Sequence, residues 1–128
     1  MAGPKGSKYY NVFLEYGVWL TNQESGGRLD DKLVRLLKGI QDTGTLRSAA
    51  ESLGLSYRKA WGDIRKAEKF IGFSLVIKIR GGKDGGLSRL TADGTELVEA
   101  FAQLHKDFDE AIYRTTKKFF HDLNKQQQ

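Results

Sequence analysis

The sequence predicts an α+β fold, and three features of the chain predict it. Residues 45–71 form two helical segments that meet at Gly54. Residues 74–90 contain two short apolar segments around a connection with four glycines, which is typical of a hairpin. Residues 92–124 repeat apolar side chains at helical spacing. Together these features predict a winged helix-turn-helix with N-terminal β-strands and a long C-terminal dimerisation helix.

The N-terminal part of the chain is predicted to supply the β-strands. Residues 1–9 are polar, and we expect them to be flexible. Residues 12–14 and 18–20 are rich in branched and aromatic side chains, which predicts two short strands or one bent strand. Residues 22–27 are predicted to form a loop. The folded domain is therefore expected to begin at about residue 10.

The first core helix is predicted from an apolar repeat that stops at Thr43 and Gly44. The repeat consists of Leu29, Leu33, Leu36, Leu37 and Ile40. A second, shorter helix follows, and its small inner residues Ala49 and Ala50 would let two helices cross closely. This helix is predicted to end at Gly54, and Ser56 is placed to cap the next one.

The next helix, from Ser56 to about Ile71, separates apolar from basic residues. Its inner stripe consists of Ala60, Ile64, Ala67 and Ile71. Its outward stripe consists of Arg58, Gly62, Arg65 and Lys69, flanked by Lys59 and Lys66. Because Gly62 has no side chain, the backbone there could approach a flat, negatively charged partner. The helix is therefore predicted to be the recognition helix of a DNA-binding domain.

The remaining elements are a wing and a long last helix. Residues 74–79 and 87–90 are predicted strands of the wing, and Thr91 is placed to cap the helix that follows. That helix carries an apolar seam with spacings of three and four residues, which favours pairing with a second copy. The predicted dimer interface consists of Leu97, Phe101, Leu104, Phe108 and Ile112. The domain is expected to span residues 10–124, with residues 125–128 frayed.

The charge of the chain is concentrated where DNA would be contacted. The net charge is +5. Residues 56–89 hold nine Lys and Arg against three acidic residues, a local charge of +6, so the rest of the chain sums to −1. This concentration predicts a polyanion-binding face, because a basic protein that needed only solubility would spread its charge.

Composition excludes several other classes of protein. The chain of 128 residues is sufficient for one domain and contains no cysteine, so neither disulfides nor thiolate-bound zinc is expected. No apolar run of signal-peptide or membrane-span length is present, and a reducing cytoplasm is the expected location. His105 and His121 lie too far apart to form a helical metal pair. No cofactor is expected.

Catalysis is not expected either. The glycine loop at 81–86 lacks the spacing of a phosphate-binding loop and leads into a strand rather than a helix. No nucleophile motif is present, and the histidines are not near a carboxylate cluster in sequence. The alternative to DNA binding is a protein-interaction module in which the winged helix uses its basic face for an acidic partner.

Two segments of the chain resemble a known family. The string Leu-Ser-Tyr-Arg-Lys-Ala-Trp at 55–61, followed by Gly-Gly-Lys-Asp-Gly-Gly at 81–86 and Leu-Thr at 90–91, is similar to the N-terminal domain of ModE-type molybdate-responsive transcription regulators. The broader pattern around Ala49, Ala50 and Gly54 resembles the LysR-type class. The resemblance, over about residues 10–115, implies a winged helix-turn-helix that dimerises through its last helix and controls promoters.

The sequence differs from this family in one respect. Regulators of this family that sense molybdate carry C-terminal oxyanion-binding domains, and this sequence leaves no residues for one after Gln128. The expectation is therefore a stand-alone regulator whose DNA binding is indifferent to molybdate.

Individual roles follow from side-chain chemistry. Arg58 is the strongest candidate for a bidentate hydrogen-bond contact with guanine, and a phosphate contact is the alternative. Flexible lysines are better suited to phosphates than to bases. Trp61 could be core or could contact DNA, and the sequence leaves this open. The predicted DNA-binding residues are Thr45, Arg47, Ser48, Ser56, Tyr57, Arg58, Lys59, Trp61, Gly62, Arg65, Lys66, Lys69, Arg80, Lys83 and Arg89.

Overall fold

The computed structural model describes residues 5–6, 8–80 and 86–125, except for the side chain of Arg80. The elements in chain order are β1 (Trp19–Asn22), β2 (Gly26–Asp30), α1 (Asp31–Thr43), α2 (Leu46–Ser52), α3 (Tyr57–Ile71), β3 (Val76–Arg80), β4 (Leu87–Leu90) and α4 (Ala92–Lys125). The chain divides into two units, Val18–Phe101 and Met1–Gly17 with Ala102–Gln128, and α4 contributes to both.

The boundaries of the helices are set by capping residues. The Asp30 carboxylate accepts a hydrogen bond from the backbone N–H of Leu33 and starts α1. Gly44 ends the same helix with φ +82°, a conformation that favours glycine. The Ser56 hydroxyl accepts from the N–H of Lys59 at 3.0 Å and starts α3. The caps predicted at Ser56 and Gly44 are therefore confirmed.

Helices α1, α2 and α3, strand β2, the wing and the first turns of α4 contribute to the core of the unit Val18–Phe101. Its largest fully buried side chains are Leu29, Leu36, Leu37, Ile40, Leu46, Ile64 and Leu75. Helices α1 and α2 cross closely, since a Cβ added at Gly39 would lie 2.8 Å from the Cβ of Ala49. The small residues predicted at this crossing are confirmed, and Gly39 is the partner that the sequence did not single out.

The two β-hairpins differ in how well the sequence predicted them. Strands β3 and β4 pair antiparallel, with Val76 opposite Leu90, as expected for the wing. Strands β1 and β2 also pair antiparallel, with Trp19 opposite Asp30. The predicted strand at 12–14 is wrong, because residues 12–18 have no regular structure. The predicted loop at 22–27 is shorter than expected, because β2 already begins at Gly26.

The wing is anchored to the helices at several points. Glu68 of α3 is only 9% exposed, and its Oε2 accepts hydrogen bonds from the N–H of Leu75 at 2.7 Å and of Val76 at 3.2 Å. The N–H of Ser88 in β4 donates to the carbonyl of Gly44 at 2.9 Å. These bonds fix the base of the wing against α3 and against the loop between α1 and α2.

The second unit combines an N-terminal segment with the later part of α4. The rings of Tyr9 and Phe120 lie 6.3 Å apart, and Phe120 is buried. The Tyr16 hydroxyl donates a hydrogen bond to Asp109. Several large apolar side chains of this unit stay exposed, among them Phe13, Tyr113 and Phe119. The N-terminal segment therefore packs on this part of α4 and leaves aromatic surface uncovered.

The α+β winged helix-turn-helix class is confirmed, with a last helix of 34 residues. Lys125 still belongs to α4. Residues 1–4, 7 and 126–128 lie outside the described residues, and these include most of the two terminal segments that the sequence predicts to be mobile. The domain boundaries at 10 and 124 remain predictions.

Candidate nucleic-acid interface

The outward stripe of α3 faces solvent. Arg58, Gly62, Arg65 and Lys69 are all exposed, whereas the inner residues Ala60, Ile64 and Ala67 are buried. Arg58 and Lys69 form no ion pair within the part of the chain that the structure describes. Two long cations therefore project from this face without an ion-pair partner among the described residues.

Gly62 interrupts this basic stripe for no reason internal to the fold. A Cβ added there would meet none of the described atoms within 4 Å. Glycine inside a helix costs about 0.5–1 kcal/mol relative to alanine. The helix bears this cost although packing among the described residues does not require it, which is consistent with the prediction that Gly62 leaves room for a partner to approach the backbone.

Trp61 is half-buried and acts as a platform for two cations. The guanidinium of Arg65 lies 4.6 Å from the centroid of its ring, and the ammonium of Lys78 in β3 lies 5.3 Å from it. Both distances are within the range of cation–π attraction. The ring thereby places a cation of α3 beside a cation of the wing. Its Nε1 is buried and has no hydrogen-bond partner among the described residues.

A second aromatic residue extends the same arrangement toward α2. The Tyr57 ring lies edge-on to Trp61 with a centroid distance of 6.4 Å. The guanidinium of Arg47 lies 4.9 Å from the centroid of the Tyr57 ring. Cations from α2, α3 and β3 are therefore arranged around two aromatic rings, which we call the aromatic platform.

Glu68 connects this platform to the wing. Its Oε1 accepts from the Arg65 Nη1 at 2.9 Å, while its Oε2 holds the start of β3. One buried carboxylate thus fixes both a cation of the outward stripe and the base of the wing. Neither Glu68 nor Lys78 was predicted as a site residue, because a lone Glu on a helix and a Lys in a strand carry no pattern that separates them from solvated charges.

Several predicted contact residues already have intramolecular partners. The Lys59 ammonium pairs with Asp63 at 2.8 Å, whereas Lys66 has no ion pair within the described part of the chain. The Ser56 hydroxyl is used in capping α3. In α2, the Ser48 N–H donates to the Thr45 hydroxyl at 3.1 Å. The Thr45 cap thus occupies the Ser48 N–H at the N-terminus of α2, and the Ser56 cap occupies the Lys59 N–H at the N-terminus of α3.

The wing contributes exposed cations at its base. Lys78 and Arg89 are exposed on β3 and β4. Lys83 and the side chain of Arg80 lie outside what the structure describes, and their predicted roles remain predictions.

The solvent exposure of the predicted dimer-seam residues varies along α4. Phe101 is 3% exposed and packs within its own chain. Leu97, Leu104 and Ile112 are half-buried, and Phe108 is 45% exposed. Exposed apolar surface on the seam is therefore greatest at Phe108.

The described residues contain neither a metal cluster nor a membrane-spanning helix. No group of three or more His, Asp or Glu side chains is arranged to hold a metal ion. No described helix has the length and apolar character needed to span a bilayer.

Comparison with known proteins agrees with this geometry. Residues 32–95 match the family of bacterial regulatory helix-turn-helix proteins of the lysR type. The chain belongs to that family. The match runs from the start of α1 into the first turn of α4, so it contains α2, α3 and the wing.

Curated relatives confirm the resemblance to ModE regulators. The molybdenum transport protein ModE of Herbaspirillum seropedicae is 34% identical over 87 residues, which is 68% of this chain and 32% of the relative. The DNA-binding transcriptional dual regulator ModE of Escherichia coli is 33% identical over 72 residues, which is 56% of this chain and 28% of the relative. The chain thus spans about a third of the length of these relatives.

A solved structure supports the fold alone. ArgP from Mycobacterium tuberculosis superposes with a TM-score of 0.53 over 68% of this chain and 31% of that protein, at 23% sequence identity.

Proposed function

We propose that this chain is a sequence-specific regulator of transcription that binds double-stranded DNA as a homodimer and catalyses no reaction. The observation that carries the proposal is the glycine at position 62, which leaves an opening in an exposed row of cations that the fold itself does not need. Family membership and the named relatives support the same function. Such a regulator acts on chromosomal DNA, so the proposed location is the cytoplasm.

In the proposed complex, α3 lies in the major groove. Arg58 and Arg65 are the candidates for base contacts, because a guanidinium can form two parallel hydrogen bonds to guanine. Lys66 and Lys69 are assigned to phosphates on either side of the groove. Lys78 and Arg89 are assigned to the strand that runs past the wing. Most of the affinity would come from phosphate neutralisation and would fall with salt.

The homodimer is proposed from the seam on α4. Phe108 is exposed on a helix of 34 residues, and Phe119, about three helical turns further along the same side, is exposed as well. A second copy would cover this apolar surface. Two recognition helices related by a two-fold axis would contact half-sites about one helical turn, or ~34 Å, apart.

DNA binding by this chain is proposed to be independent of molybdate. The relatives named for molybdenum are matched over about a third of their length, and that part contains the helix-turn-helix. Their names therefore do not transfer a molybdate response to this chain. The measurement is DNA affinity with and without molybdate at fixed ionic strength, and a change in affinity would contradict this part of the proposal.

The central test of the proposed function replaces Gly62 with larger residues. Gly62→Ala should raise the free energy of unfolding by about 0.5–1 kcal/mol, because it removes a helix penalty, and should still lower DNA affinity. Gly62→Leu should abolish specific binding. The matched control is Ala100→Leu, which enlarges an exposed residue of α4.

Binding would be measured with an operator recovered by selection from random duplexes. A recovered inverted repeat would support two-fold, sequence-specific binding. Full DNA affinity in Gly62→Leu would reject the proposed interface. Binding to an acidic protein, with no preference among duplexes, would favour the interaction module instead.

A further inference from the structure

A cavity beside α3 adjoins the proposed DNA interface and shares Lys66 with it. It has a volume of about 300 Å³ and lies between β2, the first turns of α1 and one flank of α3. This flank is on the opposite side of α3 from the residues that contact the wing, Trp61 and Glu68. Ligand sites in proteins have volumes of about 300–1,000 Å³, so the cavity is large enough for a small molecule only.

The wall of the cavity is apolar and held in place. Leu33, Leu36, Ala67 and Phe70 line it, and all four are buried core residues. The β1–β2 hairpin is fixed to the end of α3, because the Asn22 side-chain amide donates to the carbonyl of Phe70 at 3.0 Å. The apolar wall is therefore formed before any ligand binds.

The rim of the cavity is charged and has an excess of cations. Two of its cations already have carboxylate partners: Lys59 pairs with Asp63 at 2.8 Å, and Arg28 lies 3.4 Å from Asp30. The other two, Lys32 and Lys66, form no ion pair within the described residues. Two unpaired ammonium groups above an apolar wall match a molecule with one anionic end and a short apolar body.

We propose that this cavity binds a small organic monoanion, a carboxylate with a short apolar chain, and that the bound ligand weakens DNA binding. The chain would pack on the wall, and the carboxylate would pair with Lys32 and Lys66. Lys66 is also assigned to a DNA phosphate, so one ammonium group cannot fully serve both partners. The second half of the proposal rests on the proposed function, whereas ligand binding itself does not.

The first experiment measures ligand binding without DNA. The intact protein is titrated with hexanoate and followed by NMR, with hexanamide, hexylammonium and inorganic phosphate as comparison probes. Hexanoate should bind with a Kd of about 1 mM, a value suited to so small a ligand, and should shift signals of residues 27–36 and 59–70. Hexanamide and phosphate should each bind several-fold more weakly, and hexylammonium should not bind.

Variants assign the site. Lys32→Gln should weaken hexanoate binding about fivefold, as expected for loss of one partly exposed ion pair, and Lys118→Gln on α4 is the matched control. Ala67→Met should fill the cavity and abolish binding. Its folding is checked by its unfolding midpoint, and if it does not fold, Lys32→Gln still decides. Equal binding of hexanoate and hexanamide, or shifts scattered over all surface lysines, would overturn the proposal.

The second experiment adds DNA. Saturating hexanoate should lower DNA affinity several-fold, and DNA should lower hexanoate affinity by the same factor, as linkage requires. Lys32 is not an assigned DNA contact, so Lys32→Gln should keep its DNA affinity and should need about five times more hexanoate for the same loss of DNA affinity. Unchanged DNA affinity with hexanoate bound would overturn the regulatory half. A protein that binds hexanoate but no DNA would reject the proposed function and leave the ligand site standing.

Discussion

The guanidinium of Arg65 lies over the indole ring of Trp61, 4.6 Å from the ring centroid, and its Nη1 donates a hydrogen bond to the Glu68 carboxylate. A long, flexible side chain would otherwise lose conformational entropy on binding DNA. In the proposed complex, this contact would reduce the entropy that Arg65 loses on binding DNA. Trp61, left undecided between core and DNA contact by the sequence, is a residue that positions cations.

Two substitutions of Trp61 should separate the effect of its N–H on stability from the effect of its aromatic face on DNA affinity. Trp61→Phe keeps an aromatic face and removes an N–H that has no described partner, so the free energy of unfolding should change by less than about 1 kcal/mol. Trp61→Leu removes the face, and DNA affinity should fall about three- to tenfold, corresponding to roughly 0.5–1.5 kcal/mol. Urea unfolding measures the change in stability, and fluorescence anisotropy with labelled duplex measures the change in DNA affinity. Equal DNA affinity in the wild type and Trp61→Leu would show that the platform does not act in binding.

Removal of the Glu68 carboxylate should destabilise the fold. Glu68→Ala leaves the N–H groups of Leu75 and Val76 without their acceptor, and the free energy of unfolding should fall by about 2–4 kcal/mol. Glu68→Gln keeps one oxygen and should lose about 1 kcal/mol. Urea unfolding at neutral pH measures the difference. The control is Glu99→Ala at an exposed position of α4, and a Glu68→Ala loss no larger than this control would contradict the assigned role.

Two exposed cations of the outward stripe are expected to act differently. Arg58→Ala should cost about 1–3 kcal/mol on the selected operator and relax its sequence preference. Lys69→Ala should weaken binding to all duplexes similarly and lower the salt slope by about 0.9. Titrations on specific and scrambled duplexes over a series of salt concentrations distinguish the two. If Arg58→Ala retained both affinity and preference, α3 would lie in the groove in another orientation.

The seam on α4 provides the test of the dimer. Phe108→Asp places a charge on its most exposed apolar residue, and we expect a monomer that binds half-sites weakly. Tyr113→Asp is the control, because it makes a similar change at an exposed position on another side of the helix. Sedimentation at about tens of micromolar is the measurement, since assembly depends on concentration. A monomeric wild-type protein under these conditions would refute the homodimer.

The sequence predicted the helices and the wing well because their signals are local. Ser56, Gly44 and Thr91 cap or end helices through bonds to residues three or four positions away. The separation of Arg58 and Lys69 from Ala60 and Ile64 depends only on helical period. Such features are present in a short stretch of sequence before any tertiary contact forms.

The missed features depend on contacts between distant segments. The apolar residues at 12–14 were predicted to form a strand, but residues 12–18 form no regular structure. Residues 12–17 belong to the unit that includes the later part of α4. Lys78 becomes part of the platform only because β3 returns alongside Trp61. The cavity beside α3 forms only where β2 and α1 pack near that helix, and no periodic pattern in the sequence predicts this packing.

The hydrogen bond between the Ser88 amide and the Gly44 carbonyl indicates the order in which the two strands of the wing dock during folding. Glu68 reaches the N–H of Leu75, seven positions along the chain, and closing so short a loop costs little chain entropy. The bond from Ser88 to Gly44 closes a loop that contains α2, α3 and β3. We expect β3 to dock early and β4 to lock the hairpin last. In the native state the Ser88 amide should then exchange with solvent faster than those of Leu75 and Val76, so that one strand of the wing opens while the other stays on the recognition helix.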